Sequence, residues 1–160
     1  NINAIKDDTL EVEIYMKQKT RDLLFELTVK EGDPDRISNI TGTLSGIAGS
    51  FDLSSQRICG EAMNTSFPFA RTNDKITAHT RLLGTTGLKQ SLRIDLTFTD
   101  GSSQTIENDL TDLLKNFNDD MPTPMYITGD LLTPIEADMT ATIVGWENGN
   151  EENGENIEIY

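Results

Sequence analysis

Residues 91–118 read SLRIDLTFTDGSSQTIENDLTDLLKNFN, and they contain both periodicities from which a fold class can be argued. Leu92, Ile94, Leu96 and Phe98 alternate with Arg93, Asp95 and Thr97, the period of two that turns one face of a strand to a core and the other to water. Asp100-Gly101 follows as a hairpin turn, since glycine accepts the left-handed backbone that tight turns need. Then the spacing changes. Leu110, Leu113, Leu114 and Phe117 fall at i, i+3, i+4 and i+7, which predicts one short amphipathic helix over 109–118 with Asn108 or Asp109 as its cap.

Outward from this unit the period of two dominates. Leu23, Phe25, Leu27 and Val29 alternate, and so do Leu10, Val12, Ile14 and Met16, so the two runs read as a hairpin. Gly32–Asp35 is a turn by its glycine and proline. Between Ile40 and Leu53 the pattern is broken by Gly42, Gly46 and Gly49, which predicts bulges or a close approach of backbones. Met63, Thr65, Phe67 and Phe69 share a face, with Pro68 marking an edge or a strand end; Ile76, Ala78, Thr80 and Leu82 form another. MYITGDLL and MTATIVGW, separated by Pro134, close the body. The expectation is an all-β chain, an antiparallel β-sandwich of about 7–9 strands with one short helix. Residues 1–148 are assigned to the sandwich and 149–160 to an acidic spacer with a short terminal strand.

Length and charge bound the function. A chain of 160 residues, 36% hydrophobic and 25% charged, suits one domain with its own core. Thirteen basic residues among 27 acidic ones give a net charge of -14, which argues against a phosphate-backbone partner, so no nucleic acid is expected. No apolar run approaches the length of a membrane span. The opening NINAIKDDTLEV runs straight into strand pattern without an initiator Met or a signal peptide. The chain is therefore expected to be a trimmed piece of something longer, with targeting information outside it.

Catalytic chemistry has little to build on. His79 is the single histidine and alternates away from Ile76 and Ala78, so a surface or interstrand role is expected. Cys59 is the single cysteine; it forms no internal disulfide, and only Arg57 lies near enough in sequence to activate it, so a quiet thiol is expected. With one Cys and one His no zinc-site spacing exists. Asp33, Asp35, Asp100, Asp119 and Asp120 do not follow a calcium-loop spacing. A hydrolase with two paired carboxylates has nothing in its favour. The chain reads as non-enzymatic, without cofactor or metal.

Several segments occur in a telling order: TRDLLFELTV (Thr20–Val29), ISNITGTLSGIAGSFDL, TRLLG (Thr80–Gly84), the 91–118 unit, and MTATIVGWENG. In this order and spacing, over residues 8–148, the chain resembles the FimB/Mfa-type fimbrial anchor and accessory subunits of Bacteroidetes, in particular their second, C-terminal domain. The resemblance implies a transthyretin-like β-sandwich from a lipoprotein of the cell outer membrane, one that anchors or caps a fimbrium or pilus. Implied partners are other fimbrial subunits or host surface molecules met in cell adhesion. Two features depart from the family pattern. The lipidated N-terminal cysteine and the first domain of that pattern are not found in these residues, so a fragment or a single-domain relative is expected, and Cys59, in mid-chain, is not the lipidated residue.

The same all-β pattern suits an alternative, a sandwich adhesin that binds glycans or host proteins, for which Trp146 is the candidate residue. Trp146 is expected to cover a core edge rather than to hold a ligand. Glu147–Asn156 contains only Glu, Asn and Gly, a composition that does not bury enough to order itself. Glu151, Glu152 and Glu155 read as solvent-facing before they read as calcium ligands. Ile157, Ile159 and Tyr160 are the candidate interaction residues of a terminal strand. Burying two isoleucines is worth roughly 3–6 kcal/mol, and ordering each residue costs about 1–2 kcal/mol. The sum is near zero, so this strand needs help from other contacts.

Overall fold

The computed structural model describes residues 9, 11–135 and 139–149. The chain packs two sheets face to face. In order it forms β1 (Arg21–Glu31), β2 (Ile37–Asp52), β3 (Arg57–Pro68), β4 (Ala70–Thr72), β5 (Lys75–Leu82), β6 (Ser91–Phe98), β7 (Ser103–Asp109), α1 (Thr111–Leu114), β8 (Met125–Leu132) and β9 (Thr142–Gly149). One sheet runs β4-β5-β1-β8-β9 and the other β3-β2-β6-β7. The all-β sandwich with a single short helix is as the patterning predicts. Six of its seven strand pairs are antiparallel; the exception is β1 with β8, which run parallel from Leu23↔Met125 to Val29↔Leu131.

The inward faces are the alternating sets. Leu23, Phe25 and Leu27 of β1 are buried against Leu92, Ile94, Leu96 and Phe98 of β6, with Ile76, Ala78 and Leu82 of β5 beside them. Phe25, Phe67 and Phe69 form a ring cluster with centroids 5.6–6.0 Å apart, Phe25 and Phe67 stacked. Gly42 makes room for it, since a Cβ there would come within 2.8 Å of both the Phe67 and Phe69 rings. The glycine-broken stretch is bulged, as expected. The β2–β3 register shifts between Leu44 and Ile47 and again between Ala48 and Ser50. Gly46 sits in the first shift with φ +70°, where a Cβ would lie 2.3 Å from the Lys89 carbonyl. The helical spacing of 110–117 resolves into α1 and a 3-10 turn (Phe117–Asp119), with Leu110, Leu114 and Phe117 fully buried. Asp109 supplies the N-terminal contact, its Oδ1 accepting from Thr111 N (2.9 Å), although Leu110 occupies the cap position.

One expectation fails. Residues 11–20 form no strand, and Val12, Ile14 and Met16 are 49%, 79% and 94% exposed. The hairpin between this run and β1 does not exist, because both hydrogen-bonding sides of β1 are taken, by β5 and by β8. A third ladder has nowhere to form. Met139 and Met63 also miss the core (52% and 56% exposed), while Ala141, Ile143 and Phe67 in the same alternations are buried.

Phe25→Ala should therefore cost about 3–5 kcal/mol in urea unfolding, as a large buried ring is lost. Met16→Ala should change stability by less than about 0.5 kcal/mol, the behaviour of an exposed site.

Candidate interaction surfaces

A sandwich has two open sides, and here they are treated differently. On one side β7 and β9 are tied together: Trp146 Nε1 donates to Asn108 Oδ1 (3.0 Å), and Ala141 N donates to Gln104 Oε1 (2.5 Å). The Trp146 ring packs over Gly129 and the core, so this indole covers a core edge, with its N–H already bonded. On the opposite side the chain steps from one sheet to the other at Pro68. Phe69 N donates to Ile40 O (3.0 Å) as β3 gives way to β4.

Beyond that crossing β3 stands clear. β2 pairs with β6 only over Ile37–Leu44, whereas its pairing with β3 continues to Asp52↔Arg57. The far half of the hairpin is thus a two-stranded ribbon, flanked on its β2 side by the 84–86 loop through Ala48 N to Gly84 O (2.9 Å) and Thr86 N to Gly46 O (2.8 Å). Cys59, Glu61, Ala62 and Asn64 of β3 are exposed, and among the described residues β3 pairs with β2 alone. Among the described residues its outer row of backbone groups has no strand partner, and the row is interrupted at Gly60 by a left-handed residue (φ +81°). The turn at the ribbon's tip is pinned by Asp52, whose oxygens accept from Ser54 N, Ser54 Oγ and Ser55 Oγ (2.7–2.9 Å). The serine hydroxyls, Ser54 first, pull the Asp52 carboxyl down to about 2.

The end of the sandwich where β1 starts is organised by Arg21, a charge only 7% exposed. Among the described residues no carboxylate pairs with it. Its Nε donates to Thr123 O (2.6 Å) and its Nη1 to Phe117 O (2.8 Å) and Asn116 O (3.2 Å), while the guanidinium lies 5.4 Å from the Phe117 ring centroid. The Arg21 fork thereby satisfies carbonyls left open where the helical segment ends. Beside it a cleft of about 280 Å³ opens between the residues leading into β1, the ribbon tip and the turn after the helix. Lys17, Lys19 and Arg57 reach into its lining, along with Phe51, Leu83 and Met121. Sequence reading missed this grouping because Lys19 and Arg57 lie 38 positions apart and only the fold joins them. A broader and more open hollow beside α1 carries Lys89, Asp109 and Asp112 together, so its charges offset one another.

The outer face of the β1 sheet is a charge ladder. Arg81 Nε donates to Asp22 Oδ1 (2.8 Å), and His79 Nε2 lies 2.8 Å from the same oxygen, so the single histidine is an interstrand partner. Lys75 Nζ donates to Glu26 Oε1 (2.7 Å). The Asp22 carboxyl is held below its ordinary range, by the Arg81 hydrogen bond first and the His79 contact after it, against the opposing effect of burial. Cys59 and His79 lie on different sheets, and no group of three metal-ligating side chains forms among the described residues. Ile157, Ile159, Tyr160 and the tail glutamates lie outside the described residues.

Comparison with known proteins comes to one family. The sequence family of the fimbrillin-A associated anchor proteins Mfa1 and Mfa2 matches residues 1–152. Solved structures with this fold include a candidate adhesin from Bacteroides ovatus, with a TM-score of 0.61 and 12% identity over 86% of this chain and 55% of that one. Another is the fimbrial anchor protein Mfa2 from Porphyromonas gingivalis, with a TM-score of 0.54 and 14% identity over 81% of this chain and 46% of that one. At these identities the likeness is one of fold, and the chain spans about half the length of each. No curated protein matches it.

Two outcomes follow from the geometry. Arg21→Met should lose at least about 2 kcal/mol in urea unfolding, since three carbonyls lose a charged donor, and Arg21→Lys should recover only part because an ammonium lacks the fork. Asp22, Asp52, Asp95, Asp100 and Asp109 all have lowered carboxyl pKa values in the folded chain. Their stabilisation is present above the ordinary value of 3.8 and is lost as pH falls through the folded values. The melting temperature should therefore drop between about pH 4 and pH 2, and Asp52→Asn should flatten that slope.

Proposed function

This chain belongs to the family of fimbrillin-A associated anchor proteins, and we propose that it is the β-sandwich domain of a non-enzymatic cell-surface fimbrial subunit, an anchor, cap or accessory part of the polymer. In this reading residues 1–148 are the C-terminal domain of a longer precursor, and 149–160 are a spacer and short strand. In this reading attachment to the outer membrane is through a lipid anchor that these residues do not include.

The observation that carries the reading is the free edge of β3. A strand whose outer row of N–H and C=O groups is unpaired adds a further strand at little cost, with backbone bonds giving affinity and alternate side chains giving selectivity. β7 and β9 are edge strands as well, but on that side the Trp146–Asn108 and Gln104–Ala141 contacts tie the two sheets together. This arrangement favours contact with other fimbrial subunits over the adhesin alternative. A glycan site built on Trp146 would need an open indole face and a free N–H, and the ring packs on Gly129 while its N–H serves Asn108.

Electron microscopy of cells lacking the protein should show fimbriae altered in length, attachment or abundance. Complementation with Ala62→Lys, a charge placed on the exposed β3 edge, should restore the folded protein but not normal fimbriae. Fimbriae that are unchanged in the deleted strain overturn the reading.

A further inference from the structure

Asp52 and Arg57 stand opposite each other at the tip of the β2–β3 ribbon, yet they form no ion pair. The Asp52 oxygens are taken by Ser54 and Ser55, so the carboxylate nearest in register to Arg57 is locked into the turn. Arg57 lines the cleft of about 280 Å³ beside Arg21, together with Lys17 and Lys19. Among the described residues the side chains of Lys17 and Arg57 make no hydrogen bond or ion pair. No carboxylate appears among the described lining residues, in a chain with 27 acidic residues against 13 basic.

The rest of the lining narrows the choice of ligand. Lys19 Nζ donates to Gln56 Oε1 and lies 5.1 Å from the Phe51 ring centroid, so the one aromatic ring here is already covered. Gln56 Nε2 in turn donates to Leu53 O. The Asn118 carboxamide is used on both sides, accepting from Thr85 N (2.8 Å) and donating to Thr85 O (2.9 Å). A sugar brings hydroxyls that must donate as well as accept, and here it meets spent carboxamides and no open ring face. An ionised carboxylate only accepts, and two unpaired cations, one of them a guanidinium fork, suit it. Ile58, Leu83 and Met121 offer apolar surface to the methylenes that carry it.

Position says where such a carboxylate comes from. Arg57 is the first residue of β3, whose outer edge has no strand partner among the described residues. A strand laid on that edge brings the Cβ of its residue opposite Arg57 to about 4.5–5.5 Å from the Arg57 Cβ. A glutamate there reaches the guanidinium. Glu61, further along the same edge, repels an acid placed opposite it, so the carboxylate belongs at the Arg57 end. A phosphate on a lipid headgroup is also an acceptor, but an anionic bilayer would have to approach a chain of net charge -14.

Resting on the reading of β3 as a strand-accepting edge, we propose that the Lys17–Arg57 cleft is a carboxylate-binding site that selects among the partner segments adding to β3. The favoured segment is extended and carries an acidic residue opposite Arg57. The guanidinium takes both carboxylate oxygens, Lys17 adds its charge from the same cleft, and the backbone ladder along β3 supplies affinity common to all segments.

The probes are short synthetic peptides of alternating threonine and valine with a glutamate near one end or the other, each with a glutamine counterpart. They are titrated into the full chain while the amide signals of residues 57–63 are followed by NMR. One glutamate peptide should bind about tenfold more tightly than its glutamine counterpart, the worth of a hydrogen bond to a charged group. Lys17→Gln/Arg57→Gln should abolish that ratio and leave the affinity for the glutamine peptides unchanged. Arg57→Lys should keep part of the ratio, and Arg93→Gln, two strands away on β6, all of it. Equal affinity for the two kinds of peptide overturns the proposal and leaves the β3 edge standing as a strand acceptor. A ratio that survives Lys17→Gln/Arg57→Gln overturns it too. Vesicles of phosphatidylcholine and phosphatidylglycerol should not retain the chain; retention that is lost in the same double variant would assign the cleft to phosphate and overturn the proposal. Ala62→Lys should weaken every peptide, and undiminished binding there sinks the edge reading instead. Failure of all the peptides to bind overturns both.

Discussion

Strand β1 is hydrogen-bonded along both sides, antiparallel to β5 and parallel to β8, and the rest of the molecule is arranged around that double commitment. A strand enclosed in this way must be apolar inward, and Leu23, Phe25 and Leu27 are. It must also resolve whatever its outward face carries, and Glu26 does so through Lys75 at 2.7 Å. At its first residue Arg21 enters the interior without a carboxylate and takes three carbonyls instead, fastening the helical turn and the lead-in to β8 to the strand they flank. The parallel neighbour then dictates topology. A parallel pair cannot be joined by a tight turn, so most of the chain has to run between β1 and β8, and that run builds the second sheet.

What was legible in the sequence was local. The strand–turn–strand–helix unit at 91–118 reads correctly because each of its signals, period two, Asp-Gly and period 3.6, acts over fewer than ten residues. The glycines of β2 likewise announce bulges, because the constraint on each is its own backbone or an adjacent ring. The alternation of Val12, Ile14 and Met16 satisfies the same rule as Leu23, Phe25 and Leu27, yet only the second run is a strand. Alternation reports what a strand would do with a partner, and whether an edge is free is decided by β8, about a hundred residues away. The cleft was invisible for the same reason. Lys17 and Lys19 read as a polar break, Arg57 as a neighbour of Cys59, and their meeting depends on the length of the β2–β3 ribbon.

The two open sides of the sandwich carry the functional argument. Trp146 looks like a ligand-binding residue in a sequence poor in aromatics, but its ring and its N–H are both spent holding β9 to β7. On the opposite side Pro68 ends β3 and the chain crosses to the other sheet. The crossing seals only the near half of that side. The far half, from Arg57 to Met63, keeps its outer backbone edge because β3 is the last strand of its sheet and pairs with β2 on its other side. An exposed edge is a hazard unless it is managed, and Gly60, Glu61 and Arg57 roughen this one without closing it.

The charge of the chain fits this division. Several acids of the sandwich are turn locks: Asp52, Asp100 and Asp109 each accept from a hydroxyl and an amide two residues on, which holds their carboxyls down and ties them to structure. Others, Asp22 and Glu26, are matched to Arg81 and Lys75 across strands. Acids spent in this way cannot also serve a distant cation. Lys17 and Arg57 are cations that those turns and ladders leave over among the described residues.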